Sequence, residues 1–179
     1  MKMQLFRNIK VLEVNEDYFI GAKGYNLYKY GFSSGRYEQV GRVVDPKYSF
    51  LSRFSLTRRF FRAEINNLYE LHNGDRLLIA KKGIFRCKKG CNLFERCFAI
   101  KRGSRPLNLC ITPNGQIYFG EYFSNMSKDA VSVYMSEDGG NSWEVAFEFS
   151  AGNINHIHGI FYDSYTERIW VVTGDRGHE

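Results

Sequence analysis

Short apolar and aromatic stretches, separated by polar turns that contain glycine, run through the whole chain. Stretches of this length that are rich in aromatic and branched residues predict β-strands, and the glycine-containing turns between them predict β-hairpins. The predicted strands are 18–21, 26–30, 37–40, 68–71, 77–80, 84–87, 94–97, 109–111, 117–120, 133–136, 143–146, 158–162 and 169–172. At most one short helix is expected, near residues 52–64. The pattern therefore predicts an all-β fold.

Three of the predicted hairpins share one pattern. An aromatic residue in the first strand is followed nine positions later by a second aromatic, and the next residue is Glu. The aromatic pairs are Tyr28 with Tyr37, Phe85 with Phe94, and Tyr134 with Trp143. The first aromatics of successive pairs lie 57 and 49 residues apart. A repeat of about 50 residues with four short strands is typical of a β-propeller blade.

The repeat divides a single predicted domain, residues 1–179, into four blades. Their approximate ranges are 10–48, 65–101, 105–150 and 154–179, and the last is truncated. Propellers close with about 4–8 blades, and an open ring leaves an unpaired sheet edge. We therefore expect a partial β-propeller of about three to four four-stranded blades. We expect it to be the N-terminal portion of a larger ring that further C-terminal blades or another chain would close.

The turn of the third hairpin carries the most specific motif. Ser136, Asp138, Gly140 and Trp143 fit the spacing S-x-D-x-G-x-x-W. Glycine supplies the positive φ of a tight turn, and Asp and Ser side chains form hydrogen bonds within such loops. The Trp ring can pack against the base of the hairpin. These four residues are therefore predicted to be structural.

This motif resembles the Asp-box, or BNR repeat, of the sialidase-like β-propeller superfamily. Residues 103–123 and 156–175 also resemble a group of uncharacterised bacterial and archaeal BNR-repeat proteins. The resemblance implies a sialidase-like propeller of unassigned activity and, if the protein is an enzyme, a glycoside hydrolase-like reaction. True sialidase activity is disfavoured. The three arginines, the Tyr–Glu pair and the Asp acid that sialidases use cannot be placed in this sequence.

Candidate functional residues lie near the predicted inner strands, which line the central channel of a propeller. His156 and His158 are two positions apart, so on a strand their side chains face the same side. With Glu121 or Asp175 they could bind a divalent metal, or act as acid and base on a sugar. Arg105 could hold a substrate carboxylate. The alternative is that each of these side chains is structural.

The sequence leaves two functions open, and it does not decide whether the protein is an enzyme. In the first, the channel binds or hydrolyses a carbohydrate or another polar small molecule, with no cofactor required and a divalent metal possible. In the second, the protein is a non-catalytic propeller scaffold for protein–protein interaction. The second function predicts an exposed aromatic patch around Phe60, Phe61, Tyr122 and Phe123.

The charge and the hydrophobic pattern restrict the classes of partner and the cellular location that we expect. The chain has 25 Lys and Arg against 19 Asp and Glu, a formal charge of +6. Nucleic acid is disfavoured, because runs of charge are more often solvated surface than binding sites. No apolar run approaches the roughly 20 residues of a membrane span, and the N-terminus lacks the apolar region of a signal peptide. We therefore expect no membrane partner and a cytoplasmic location.

Overall fold

The computed structural model describes residues 6–174 and is dominated by β-sheet. Strand accounts for 47% and helix for 7%, which confirms the all-β class. In chain order the elements are β1 (Lys10–Val14), β2 (Tyr18–Lys23), β3 (Asn26–Gly31), β4 (Arg36–Val43), α1 (Pro46–Leu51), α2 (Ser55–Phe61), β5 (Asn67–Glu70), β6 (Arg76–Ala80), β7 (Gly83–Cys87), β8 (Leu93–Ala99), β9 (Cys110–Ile111), β10 (Ile117–Gly120), β11 (Val131–Ser136), β12 (Glu144–Phe149), β13 (His156–Asp163) and β14 (Arg168–Gly174).

The strands form four antiparallel units in chain order. We call them sheet 1 (β1–β4), sheet 2 (β5–β8), sheet 3 (β9–β12) and sheet 4 (β13–β14). A short parallel pairing of β4 with β8 joins sheets 1 and 2 into one eight-stranded sheet. At the other edge, Lys10 Nζ on β1 donates a hydrogen bond to Asn66 Oδ1, next to β5, at 3.2 Å. The eight-stranded sheet is therefore nearly closed and barrel-like.

Three hydrophobic clusters lie between successive sheets. Because neighbouring strand residues point to opposite faces, Leu78 faces sheet 1 whereas Leu77 faces sheet 3. Representative buried pairs across the three interfaces are Leu27 with Leu78, Leu77 with Ile117, and Val133 with Ile157. Burying a side chain of this size contributes about 1.5–3 kcal/mol. The four sheets are thus stacked face to face in the order of the chain.

The three repeated hairpins share a backbone irregularity that the sequence pattern did not reveal. In each, the antiparallel register slips immediately before the first aromatic residue, as in a β-bulge. The slips lie at Leu27/Tyr28, Ile84/Phe85 and Val133/Tyr134. Beyond the slip, each aromatic pairs with the residue eleven positions later, namely Gln39, Arg96 and Val145. The three hairpins are therefore copies of one structural unit.

The connection between sheets 1 and 2 differs from the prediction. At most one short helix was expected near residues 52–64, but two helices are present, so that prediction is wrong. The first begins earlier because Asp45 accepts a hydrogen bond from the Tyr48 N–H (3.0 Å) and Pro46 occupies the first turn. The second ends at Arg62, which adopts a left-handed conformation (φ 51°).

Strand β1 has no counterpart among the predicted strands. Most of its side chains are exposed, so the apolar signal along it is weak. Its pairing with β2 is also irregular between Val11 and Glu13. A strand that buries so little of its surface is stabilised by its hydrogen bonds to β2 and leaves little trace in the hydrophobic pattern.

Candidate functional site

Residues that lead into the first strands of the four sheets come together. Lys10 opens β1, Glu64 precedes β5, Arg105 precedes β9 and His156 opens β13. Lys10 interacts electrostatically with Glu64 and Arg105, and Arg105 interacts with Glu64 and Tyr122. The Tyr122 ring then packs edge-on against His156, with the ring centroids 4.6 Å apart. We call this set the inner-strand cluster. Its members are Lys10, Arg62, Glu64, Lys81, Arg105, Tyr122, His156 and His158.

Arg105 is the most distinctive member of the cluster. It is half-buried, and within residues 6–174 its guanidinium forms no ion pair. Burial, and then the positive charge of Arg62, lowers its pKa, while Glu64 opposes that shift. Burial also lowers the pKa of Lys81, and the positive charges of Lys82, Arg62 and Arg105 add to the effect. The cluster therefore holds four cations and one carboxylate, and it favours a bound anion.

The two histidines lie side by side on β13. Their ring centroids are 4.7 Å apart, and their Nε2 atoms are 3.1 Å apart. An imidazole nitrogen donates a hydrogen bond only when it is protonated, so in this contact one Nε2 donates and the other accepts. Gly174 on β14 makes room for the pair, because a Cβ at that position would overlap the His158 ring. The pair can therefore share or pass a proton.

A metal at this pair would need further ligands. Two imidazole nitrogens bound to one metal ion lie roughly 3–3.4 Å apart, so the observed Nε2 separation suits that role. Across the described ranges, however, no group of three or more His, Cys, Asp or Glu side chains is placed to hold a metal. The predicted partner Asp175 lies outside the described residues.

Glu121 lies next to the cluster, but its carboxylate is already occupied. Arg102 Nε donates to Oε1 at 2.9 Å, and a second N–H of the same guanidinium donates to Oε2. The Ser132 N–H also donates to Oε2, at 3.0 Å. The main-chain oxygen of Glu121 accepts from the Ile157 N–H at 3.0 Å, which attaches β13 to the end of β10. We therefore assign Glu121 a structural role.

The turn between β11 and β12 uses its polar atoms internally. The Ser136 hydroxyl donates to Asp138 Oδ1 (2.9 Å) and accepts from the Gly140 N–H (2.8 Å). Asp138 also accepts hydrogen bonds from the Ser142 N–H and hydroxyl, the latter at 2.6 Å. Trp143 Nε1 donates to the Gly140 oxygen (3.1 Å), and its ring contacts the sheet 3 core. This geometry is that of a turn that holds a hairpin closed.

Asp138→Asn is expected to destabilise the protein by about 1 kcal/mol, because the turn loses hydrogen bonds to the carboxylate. The loss is modest because the position is exposed and water replaces some of these hydrogen bonds. Hydrogen bonds from Ser142 lower the pKa of Asp138 to about 2. In the unfolded chain the pKa of this carboxyl is about 3.9. The stabilisation is therefore present above that pH and is lost as the pH falls toward about 2. Urea unfolding at pH 7 and pH 3 would measure this.

The matched control for Asp138 is Glu144→Gln, at an exposed position on β12. The difference in the free energy of unfolding between wild type and Asp138→Asn should be smaller at pH 3 than at pH 7. The free energy of unfolding of the control should stay close to that of the wild type at both pH values. A gap that is independent of pH would contradict the assigned role of the carboxylate.

Several cluster members carried no sequence signal. These residues belong to no motif, and Lys10 and Lys81 lie far along the chain from the neighbouring pair Arg62 and Glu64. Each lies in or next to a segment that begins or joins the strands of sheets 1 and 2. A search for charged residues just before the first predicted strand of each repeat would have found Glu64 but not Lys10, because β1 has no counterpart among the predicted strands.

The predicted aromatic patch is divided in the structure. Phe60 and Phe61 are exposed on α2. Tyr122 is half-buried against the two histidines, and Phe123 packs against the core between sheets 3 and 4. These four residues therefore do not form one continuous surface of exposed aromatic rings.

No protein-family model and no curated protein matches the sequence. Among solved structures, the extracellular domain of a one-component system from B. thetaiotaomicron is similar, at 12% sequence identity and a TM-score of 0.40. The match covers 97% of this chain and spans 28% of the length of that one. Similarity at this level does not establish a shared fold.

Proposed function

We propose that the chain is part of a sialidase-like BNR-repeat β-propeller that binds an anionic, polar small molecule at the inner-strand cluster. The three hairpin copies with equivalent register slips support the repeat. The burial of three successive hydrophobic clusters between the four sheets supports a blade-like stacking. The hydrogen-bonded turn at Ser136–Trp143 supports the Asp-box resemblance.

The observation that carries the ligand proposal is the uncompensated charge around Arg105. A half-buried guanidinium without an ion-pair partner in the described chain presents a planar fork that fits a carboxylate or a phosphate. A cavity of about 490 Å³, large enough for a sugar, borders the cluster at Lys10 and Glu64, whereas the cavity that Arg105 itself lines has a volume of about 10 Å³. The ligand proposed is therefore a sugar in the larger cavity with a carboxylate or phosphate directed at Arg105.

Binding fits the cluster better than hydrolysis. Glycoside hydrolysis by the common routes uses two carboxyl groups on opposite sides of the scissile bond. Among the described residues of the inner-strand cluster, Glu64 is the one carboxylate, because Glu121 is engaged by Arg102. The paired histidines can instead donate to or accept from sugar hydroxyls.

Arg105→Gln is expected to weaken binding of an acidic sugar by at least about 10-fold, because a charge-assisted bidentate contact is lost. Isothermal titration with glucuronate and glucose 6-phosphate would measure this, with glucose as the uncharged ligand. The wild type should bind an acidic sugar more tightly than glucose. The matched control is Arg36→Gln, an exposed arginine on β4, which should bind like the wild type.

Two results would overturn this proposal. One is a wild-type protein that binds neither acidic sugar. The other is an Arg105→Gln protein that keeps full affinity. Thermal unfolding of the variant distinguishes a lost ligand contact from a loss of folding. If binding is lost while the unfolding midpoint stays unchanged, Arg105 acts on the ligand and not on the fold.

A further inference from the structure

The connection between sheets 1 and 2 exposes apolar side chains that short helices normally bury. We call residues 46–62 the arginine–aromatic segment. Its exposed apolar side chains are between 40% and 81% accessible, and they are Phe50, Phe54, Leu56, Phe60 and Phe61. Helix α1 buries none of its residues. An amphipathic helix of a globular domain turns its apolar face toward the core, whereas this segment turns several large apolar groups toward solvent.

The same segment carries only positive charge. It has five basic residues and no Asp or Glu; the basic residues are Lys47, Arg53, Arg58, Arg59 and Arg62. In the described structure none of the five forms an ion pair. The adjacent acid Asp45 is buried and paired with Arg96, so it does not neutralise them. The surface is therefore complementary to a polyanion.

The cationic surface continues onto sheet 1. A cavity of about 590 Å³ lies between the segment and strands β2–β4. Its lining contains no Asp or Glu, and its basic side chains are Lys23, Arg42, Arg53 and Arg58. Within residues 6–174 none of these four forms an ion pair. Phosphate-sized groups can therefore enter beside the exposed rings.

We propose that the arginine–aromatic segment docks on an anionic lipid bilayer. The apolar tips of Leu56 and Phe60 enter the boundary between headgroups and acyl chains, while the neighbouring guanidinium groups contact lipid phosphates. No helix among the described residues is long and apolar enough to span a bilayer, so the contact is peripheral. The sequence-based expectation of no membrane partner rested on that same lack of a spanning segment.

The order of residues favours lipid over an apolar protein groove. Arg59 is adjacent to Phe60, and Arg53 is adjacent to Phe54. A protein surface that covered these rings would also remove water from the neighbouring guanidinium groups, which is costly unless each one is paired. At a bilayer, long basic side chains extend to the phosphates while the rings stay in the apolar layer.

Co-sedimentation with vesicles tests the proposal. Wild-type protein should sediment with vesicles of phosphatidylcholine and phosphatidylserine, sediment much less with phosphatidylcholine alone, and be released by high salt. Leu56→Ser with Phe60→Ser, and separately Arg53→Gln with Arg59→Gln, should each lower the partition coefficient at least about 10-fold. These side chains are exposed, so the thermal midpoint should not change.

Matched controls remove the same chemistry elsewhere on the surface. Met126→Ser removes an apolar side chain that is 91% exposed, and Lys101→Gln with Lys128→Gln removes two exposed charges. Both should partition like the wild type. The proposal is overturned if phosphatidylserine vesicles leave the wild type in solution, or if the segment variants partition normally. Polyaspartate and an oligonucleotide serve as alternative anionic ligands. The proposal is also overturned if the segment variants bind vesicles normally but lose binding to one of these ligands, which would assign the surface to an acidic protein or a nucleic acid.

Discussion

Replacing Glu121 with alanine is expected to lower the free energy of unfolding by about 2–3 kcal/mol, because it removes the buried carboxylate that pairs with Arg102, whose side chain is 33% exposed and can be partly rehydrated. The carboxylate accepts from two guanidinium N–H groups of Arg102 and from the Ser132 N–H. Without it, these donors lose their acceptor near the junction of sheets 3 and 4. Urea unfolding followed by circular dichroism would measure the loss, with Glu144→Ala as an exposed control on β12.

A double-mutant cycle decides whether Glu121 acts through Arg102. The double variant Arg102→Ala with Glu121→Ala should lose less stability than the sum of the two single variants, because each single change already breaks the same pair. Arg102 also donates to the Ala130 oxygen at 2.7 Å, so its own replacement should be costly. If Glu121→Gln kept full stability but abolished ligand binding, Glu121 would belong to the binding site and not to the scaffold.

The repeated hairpins could be predicted because their signal is local. An aromatic residue, a glycine-containing turn and a second aromatic lie within about ten residues, which is the range over which strand and turn preferences act. Tyr134, for example, stacks on Phe119 with ring centroids 4.9 Å apart, as a large strand residue facing a core would. Helix α1 and β1 were missed because they bury few side chains, whereas α2 lies within the range 52–64 in which one short helix was expected.

The contents of the candidate site could be predicted only in part. Arg105, His156 and His158 came from stretches with a recognisable pattern, and the structure brings them to one region through Tyr122. Lys10 joins them through the near closure of sheets 1 and 2, which depends on pairings between residues far apart in the chain. No local pattern carries such information.

Asp75 shows how a hairpin compensates for a missing turn residue. Lys89 in the second hairpin occupies the position that Asp138 holds in the third. The carboxylate comes from the neighbouring turn instead. Asp75 Oδ1 accepts from the Lys89 N–H at 2.8 Å, and Oδ2 accepts from Arg86 Nε and Nη2 at 3.1 and 2.6 Å. One buried side chain thus ties the β5–β6 turn to the β7–β8 turn.

Asp75→Ala should therefore be among the most destabilising single changes, at about 3–5 kcal/mol, because it leaves the Arg86 guanidinium buried and unpaired. The two side chains are only 10% and 14% exposed, and Arg86 Nη1 already lacks a hydrogen-bond partner. Urea unfolding at neutral pH would measure the loss. The matched control is Asp163→Ala, at the last residue of β13, where the carboxylate accepts from the Tyr165 N–H and the Thr166 hydroxyl but pairs with no buried guanidinium, so this change should cost much less.

The pH dependence provides an independent check on Asp75. Arg86, followed by the Lys89 N–H, lowers the pKa of this carboxyl below its ordinary value. A lowered folded-state pKa means that the stabilisation is complete above the unfolded value of about 3.9 and is lost as the pH falls through the folded value. Wild type and Asp75→Ala should therefore converge in stability in acid. A constant difference down to about pH 2, below the ordinary carboxyl range, would show that the aspartate acts by filling space and not through its charge.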